Sequence, residues 1–167
     1  MKILETERLV LRQISVEDAN FILDLLNQPS FVKYIGDRNL RTIDDARQYI
    51  LTRFVASYEQ FGYGFYLVEL KQNEAPIGIC GLVKRETLPD ADIGFAFLPD
   101  YWSQGYAFES AQAVFDYAKN VLKLKRILAI TTKDNESSGK LLNKIGLKFE
   151  CLIRLNEEEL KLFSSDE

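Results

Sequence analysis

The 167-residue chain has no histidine, only two cysteines, and a single methionine and tryptophan. Without histidine there is no Ser–His or Cys–His dyad, no imidazole base and no histidine-containing zinc site. Cys80 and Cys151 cannot close a structural zinc site alone. Their strand-like apolar surroundings predict small core residues, kept reduced in a cytoplasmic setting. No apolar run approaches the ~20 residues that cross a bilayer, and no apolar leader opens the chain, so neither a membrane span nor a secretion signal is expected. Positive charge is also in short supply. Against 25 Asp and Glu stand 21 Lys and Arg, and the net charge of −4 argues against direct nucleic-acid binding, which needs a basic face. Repeats and low-complexity segments are missing. What remains is 47% hydrophobic and 28% charged, which suits one globular domain with a sizeable core. That domain is expected over residues 1–163, with Ser164-Ser165-Asp166-Glu167 as a loose tail.

Periodicity predicts a first strand at Leu9–Gln13. Ser15-x-x-Asp18 reads as a capping box opening a helix to about Asn27, and Phe31–Ile35 as a helical turn. Thr42-x-x-Asp45 starts a longer helix, with Ala46, Ile50, Phe54 and Tyr58 on its apolar stripe. Strands are expected at Phe65–Lys71, Ile77–Lys84, Asp92–Leu98, Arg126–Thr132, Lys148–Arg154 and Glu159–Phe163. A short helix from Ser137 to Ile145 stops at Gly146. This order is mixed α/β with an antiparallel middle, not a regular βαβ repeat.

Residues 101–118 carry the clearest functional pattern. A β-like run from Ile93 to Leu98 passes through Pro99-Asp100 into Tyr101-Trp102-Ser103-Gln104-Gly105. An amphipathic helix follows, with Ala107, Ala111, Val114, Phe115, Ala118, Val121 and Leu122 on its apolar side. A strand, a small-residue turn and a helix start make a place for an anion, because first-turn N–H groups are unpaired and the helix dipole favours negative charge. Gly105 and Ala107 lack the bulk that would keep a phosphate away. The segment is neither a Walker loop nor Gly-x-Gly-x-x-Gly. On these residues alone, a glycine that merely turns the chain is the stronger reading.

Three blocks extend the pattern: Thr6-Glu7-Arg8-Leu9-Val10-Leu11-Arg12, then Trp102 to Ala111, then Asn135-x-x-Ser138 running to Gly146-x-x-Phe149. Together, in this order and spacing, they resemble the GNAT superfamily of acyl-CoA-dependent N-acetyltransferases. The likeness is to the RimJ/RimL branch of ribosomal-protein N-terminal acetyltransferases and covers almost the whole chain. It implies the GNAT acyl-CoA N-acyltransferase fold, an α/β (α+β) arrangement with a mostly antiparallel central sheet and helices on both faces. It also implies acetyl-CoA as cosubstrate, no metal, and direct transfer of acetyl to a primary amine.

Carried over residue by residue, the resemblance places the CoA pyrophosphate on the N–H groups of Ser103, Gln104, Gly105, Tyr106, Ala107 and Phe108. Ser103 stands where the family usually has glycine; a negative φ would suit it, whereas a positive φ would weaken CoA binding. Trp102 either packs or touches ligand. The end of strand 92–98 is expected to bulge and free backbone groups for pantetheine, with the N–H of Phe97 or Leu98 facing the thioester oxyanion. Asp92 is the candidate base, though a solvated turn acid after Pro89-Asp90-Ala91 fits the same residues. Asn135 would contact the CoA arm and Ser138 would protonate the leaving thiolate, and both also fit a helix cap. Lys140 would reach a phosphate, while Lys144 reads as surface. Phe31 and Tyr34 lie where the branch's variable region covers the acceptor. The cluster Glu157-Glu158-Glu159 either attracts a cationic amine or simply solvates a hairpin.

Acceptor choice follows from base strength. An α-amine of pKa ~7.7–8.0 is roughly a tenth neutral at pH 7, whereas a lysine amine at ~10.4 is neutral about once in 2,500. One aspartate suits the former. Base strength thus favours an α-amine, and the resemblance implies a ribosomal or other protein N-terminus as the acceptor. The alternatives are a small amine such as a polyamine or aminoglycoside, acyl-CoA binding without transfer, and a plain α/β interaction domain. Monomer and homodimer are both compatible with the sequence.

Overall fold

In the computed structural model, which describes residues 1–165, the alternating run Leu9–Gln13 forms strand β2, with Leu9 and Leu11 buried. It pairs with β1, Lys2–Glu5, a short strand with no clear alternation that periodicity missed. The sheet continues through β3 (Phe65–Leu70), β4 (Pro76–Val83), β5 (Asp92–Phe97), β6 (Leu128–Thr132), β7 (Lys148–Leu155) and β8 (Glu158–Ser164). Its spatial order is β1-β2-β3-β4-β5-β6-β8-β7. Every pairing is antiparallel except β5 with β6, the one neighbouring pair joined by a crossover helix. The mixed α/β architecture with a mostly antiparallel central sheet expected from the sequence is the one observed.

One face of the sheet is covered by the N-terminal helices. A 3-10 turn, Val16–Asp18, leads into α1 (Ala19–Leu26), followed by α2 (Pro29–Tyr34). Both halves of the Ser15/Asp18 capping box are formed, and Asp18 also receives a two-pronged ion pair from Arg12. The long helix is broken into α3 (Ile43–Tyr49), a π segment (Ile50–Val55) and α4 (Ala56–Phe61). A π turn brings i and i+5 onto one face, and Tyr49 and Phe54 meet edge-on with ring centroids 5.4 Å apart. Ala46, Ile50 and Phe54 are buried as expected. Tyr58 fastens the helix to the sheet, donating to the Phe65 carbonyl and accepting from the Ile14 N–H at 3.0 Å. The opposite face carries α5 (Tyr106–Asn120) and α6 (Glu136–Ile145).

Several local expectations change. Val121 leaves the apolar stripe because α5 ends at Asn120, and its side chain is exposed. Cys80 is a core residue, and burial pushes its thiol up to about 12. Cys151 is exposed, because β7 is the sheet's outer edge. The tail does not begin at 164: Ser164 closes β8, and Ser165 exchanges hydrogen bonds with Ile127. Asp166 and Glu167 lie outside the described residues.

The sheet's centre tolerates little added volume. A Cβ on Gly81 would sit 2.2 Å from the Gly64 carbonyl oxygen and 2.6 Å from the Phe65 Cα, both backbone atoms that cannot swing aside. Gly81→Ala is therefore expected to destabilise the fold by about 3 kcal/mol. Thermal melts should then show a midpoint lowered by roughly 6–12 °C.

Candidate functional site

β5 and β6 are paired at one position only, Asp92 with Leu128, supported by the Leu128 N–H donating to the Ala91 carbonyl at 2.9 Å. Beyond it the two parallel strands diverge. N–H and C=O of one strand residue point the same way and alternate along the chain. The backbone groups of Ile93, Phe95 and Phe97 therefore face the opening from β5, and those of Ile130 and Thr132 face it from β6. A cleft of about 660 Å³ fills the gap and reaches residues on both faces of the sheet. Its α5/α6 side includes Tyr106, Phe108, Ser138 and Leu141, and its α1–α4 side includes Phe31, Tyr34, Tyr49 and Phe54.

Buried polar atoms point to the same place. Among the described residues, three buried side-chain oxygens have no hydrogen-bond partner: Asp92 Oδ1, Thr131 Oγ1 and Thr132 Oγ1. All three residues line the cleft. An orphaned buried oxygen costs about 1–3 kcal/mol, so each of the three calls for a ligand atom or an ordered water. The two threonines carry no spacing motif. Only their position at the end of a strand beside a divergent neighbour reveals them.

The turn expected to hold phosphate starts where β5 ends. A 3-10 turn, Pro99–Tyr101, leads to Trp102, whose indole N–H donates to the Phe97 carbonyl at 2.9 Å. Trp102 thus clasps the strand end while remaining half exposed. Gly105 is the N-cap of α5 with φ +86°, and its carbonyl accepts the first helical bond from Glu109. The N–H groups of Ser103 to Phe108 precede that ladder, and the residues from Ser103 to Phe108, Gln104 excepted, line the cleft. Gln104 instead bonds within the turn, its amide to the Asp100 carbonyl at 3.0 Å. Ser103 has φ +61°, so it holds a left-handed conformation that glycine adopts more readily.

Arg8, in the first of the three sequence blocks, braces this turn. Its guanidinium donates to Glu109 at 2.7 Å and to the Gln104 carbonyl at 3.0 Å, and lies 4.3 Å from the Tyr106 ring centroid. Thr6 donates to the same Glu109 carboxylate at 2.5 Å.

Three expectations need correction. The register between β4 and β5 is regular from Gly78↔Phe97 to Val83↔Asp92, so β5 has no bulge and its free edge comes from divergence instead. Leu98 is not a free donor: its N–H goes to the Ile77 carbonyl at 3.0 Å, and its carbonyl accepts from Tyr101. Phe97 presents its N–H to the other edge, level with the opening. Lys140 is exposed and does not line the cleft, while Lys144 on the same helix sits 4.4 Å from the Phe108 ring centroid, beside the first turn of α5.

The remaining candidates are gathered at the cleft. Asn135 caps α6, accepting from the Ser138 N–H at 3.3 Å, and both side chains line the cavity. Asp92 shares its strand face with Gly94 and Ala96, the side toward α1–α4, whereas the 103–108 turn belongs to the α5 side. Its side chain is only 3% exposed and accepts from Arg85 Nε at 2.9 Å. Burial raises its carboxyl above the ordinary range, against the opposing pull of Arg85. Phe31 is buried, and Tyr34 lies 4.7 Å beneath the Lys33 ammonium.

Residues 8–148 match the Acetyltransferase (GNAT) domain family. The uncharacterised N-acetyltransferase YoaA of Bacillus subtilis (strain 168) is 34% identical over 155 residues, covering 91% of this chain and 86% of its own. Among solved structures, RimL, a ribosomal L7/L12 α-N-protein acetyltransferase in complex with coenzyme A, superposes with a TM-score of 0.86 at 16% identity, covering 99% of this chain and 98% of its own. A spermidine N-acetyltransferase SpeG chimera from Vibrio cholerae and hSSAT gives 0.76 at 18% identity, covering 94% of each chain. At those identities both structures speak for the fold alone.

The turn yields two expected outcomes. Gly105→Pro cannot reach φ +86° and removes an N–H, so a variant shown to be folded by circular dichroism is expected to lose CoA binding in calorimetry. Ser103→Gly relieves a left-handed serine worth about 1 kcal/mol. Its melting midpoint is expected to rise by roughly 2–4 °C.

Proposed function

This chain belongs to the GNAT acetyltransferase family, and we propose that its acceptor is the N-terminal α-amine of a peptide or protein. Acetyl-CoA is the acyl donor, as in the family generally. In this reading its pyrophosphate rests on the N–H groups of the 103–108 turn, and its pantetheine arm lies against the free edge of β5. The thioester carbonyl then faces the N–H groups of Phe97 and Phe95, where one such donor is worth about 3 kcal/mol to the developing oxyanion. The amine enters from the α1–α4 side. Its nitrogen lone pair attacks the thioester carbon, a C–N bond forms, and the C–S bond breaks. The amine proton passes to Asp92 through water, and Ser138 donates a proton to the departing thiolate. Phe95 lies three residues from Asp92, roughly 10 Å along the strand, so a short chain of waters, not a single one, suits the span.

The observation that carries this choice of acceptor is the acid inventory of the cleft. Asp92 is the buried carboxylate there, and it is already paired with Arg85. A raised pKa makes it a better base than an exposed aspartate, but still a weak one. Such a base serves an α-amine that is roughly a tenth neutral at pH 7, and not a lysine amine. A polyamine would also meet the Arg38 and Arg85 guanidiniums on the cleft wall. Charge therefore disfavours a polycation.

The test compares matched peptides, one with a free N-terminus and blocked lysine, the other reversed. The free N-terminus is expected to react faster at pH 7; a faster lysine would overturn the reading. Asp92→Asn is expected to slow the reaction mainly below the amine's own pKa, since a neutral amine above it no longer needs a base. An equal loss at every pH would assign Asp92 to structure alone.

A further inference from the structure

Arg85 lies just past the end of β4, in the connection that returns to Asp92 at the start of β5. That connection is internally fixed. The Arg85 carbonyl accepts from Lys84 Nζ at 3.0 Å and from the Leu88 N–H at 3.3 Å, while Lys84 Nζ also donates to the Leu88 carbonyl at 2.9 Å. Leu88 itself is buried against Leu128 and Leu162. The guanidinium is then oriented by its Nε–H, which donates to the almost fully buried Asp92 carboxylate at 2.9 Å. Its two terminal nitrogens bond no other described residue, its side chain is 38% exposed, and it lines the cleft. Asp92 has the complementary deficit: Oδ2 is used by Arg85, and Oδ1 has no partner.

The pair therefore presents a set of free charged donors on the acceptor face of the sheet, anchored by a carboxylate whose second oxygen is buried and unpartnered. A planar anion fits the terminal guanidinium nitrogens, which favour two-pronged contact with a carboxylate. Arg38 adds a second guanidinium to the same wall and likewise bonds no described residue through its side chain. Against them stands Glu158, at the exposed start of β8. We propose that this protein selects acceptors carrying a carboxylate within a few bonds of the reacting amine, with Arg85 as the specificity-determining residue. The chemistry is shared by two sources: the side chain of an N-terminal Asp or Glu in a peptide, and the α-carboxylate of a free amino acid. The proposal rests on Asp92 and Arg85 facing the acceptor, and for its peptide source on the α-amine reading above.

The experiment measures kcat/KM for two matched pairs, an amidated peptide beginning Glu against the same peptide beginning Gln, and free glutamine against glutaminamide. A charged hydrogen bond predicts a preference of about 10- to 100-fold for the carboxylate member of at least one pair. Preference in the peptide pair identifies the side-chain source; preference in the amino-acid pair alone identifies the free α-carboxylate and sinks the peptide reading while leaving this proposal standing. Arg85→Gln is expected to bring the preferred ratio to near one, a readout that general loss of activity does not move. Should that variant fail to fold, Arg85→Lys, which keeps the charge but loses the planar fork, is expected to reduce the ratio by several-fold. Efficient acetylation of the neutral members with no preference, or an unchanged ratio in a folded Arg85 variant, would overturn the proposal. No acetylation of any of the four amines would overturn both this proposal and the α-amine reading.

Discussion

The single register position shared by β5 and β6 is the constraint from which the site follows. Parallel strands require a crossover, here α5, and a continuous ladder between them would seal the sheet. Pairing instead stops after Asp92 and Leu128, so two strand edges splay apart inside the molecule. Buried N–H and C=O groups without partners are costly, and natural sheets rarely leave such edges open. The fold bears the cost because the opening connects its two helical layers. One layer supplies a helix start suited to phosphate and the other an aromatic-walled recess.

Strain concentrates where β5 hands over to α5. Ser103 and Gly105 both hold positive φ within three residues, and together they aim the chain into the first turn. Contacts from outside the turn keep that geometry: Trp102 on the Phe97 carbonyl, and Arg8 on both Glu109 and the Gln104 carbonyl. The Arg8 contact links the N-terminal hairpin to the 103–108 turn across about a hundred residues of chain, which explains why a Thr-Glu-Arg-Leu block at the start belongs with a glycine turn in the middle. A surface ion pair alone is worth little. Here three donors converge on one carboxylate, which gives geometry as well as energy.

Much of this was legible in the residues, because the strands and helices obey strong local rules. Leu9–Gln13 and the capping boxes at Ser15 and Thr42 appear where alternation and capping place them. β1 was not legible, since four half-exposed residues carry no period that distinguishes them from loop. The π segment at Ile50–Val55 was hidden for a different reason: its apolar spacing matches an ordinary helix. In the site, the turn was readable from Gly105 and the helix after it. Leu98 was misassigned because which edge a backbone N–H faces depends on strand parity, fixed only once β4 and β5 are in register. Arg85, Thr131 and Thr132 belong to no spacing motif; their significance comes from burial and missing partners.

A cleft open to both faces lets donor and acceptor meet without a covalent relay. The chain has no histidine, the buried Cys80 thiol is far too weak an acid to act as a nucleophile at neutral pH, and the exposed Cys151 does not line the cleft. Direct transfer within a ternary complex is therefore the central claim. Initial rates measured while acetyl-CoA and a peptide amine are both varied test it most directly. Double-reciprocal lines are predicted to intersect, as they do when both substrates must be bound before chemistry. Parallel lines, together with acetylated enzyme trapped in the absence of acceptor, would contradict the account.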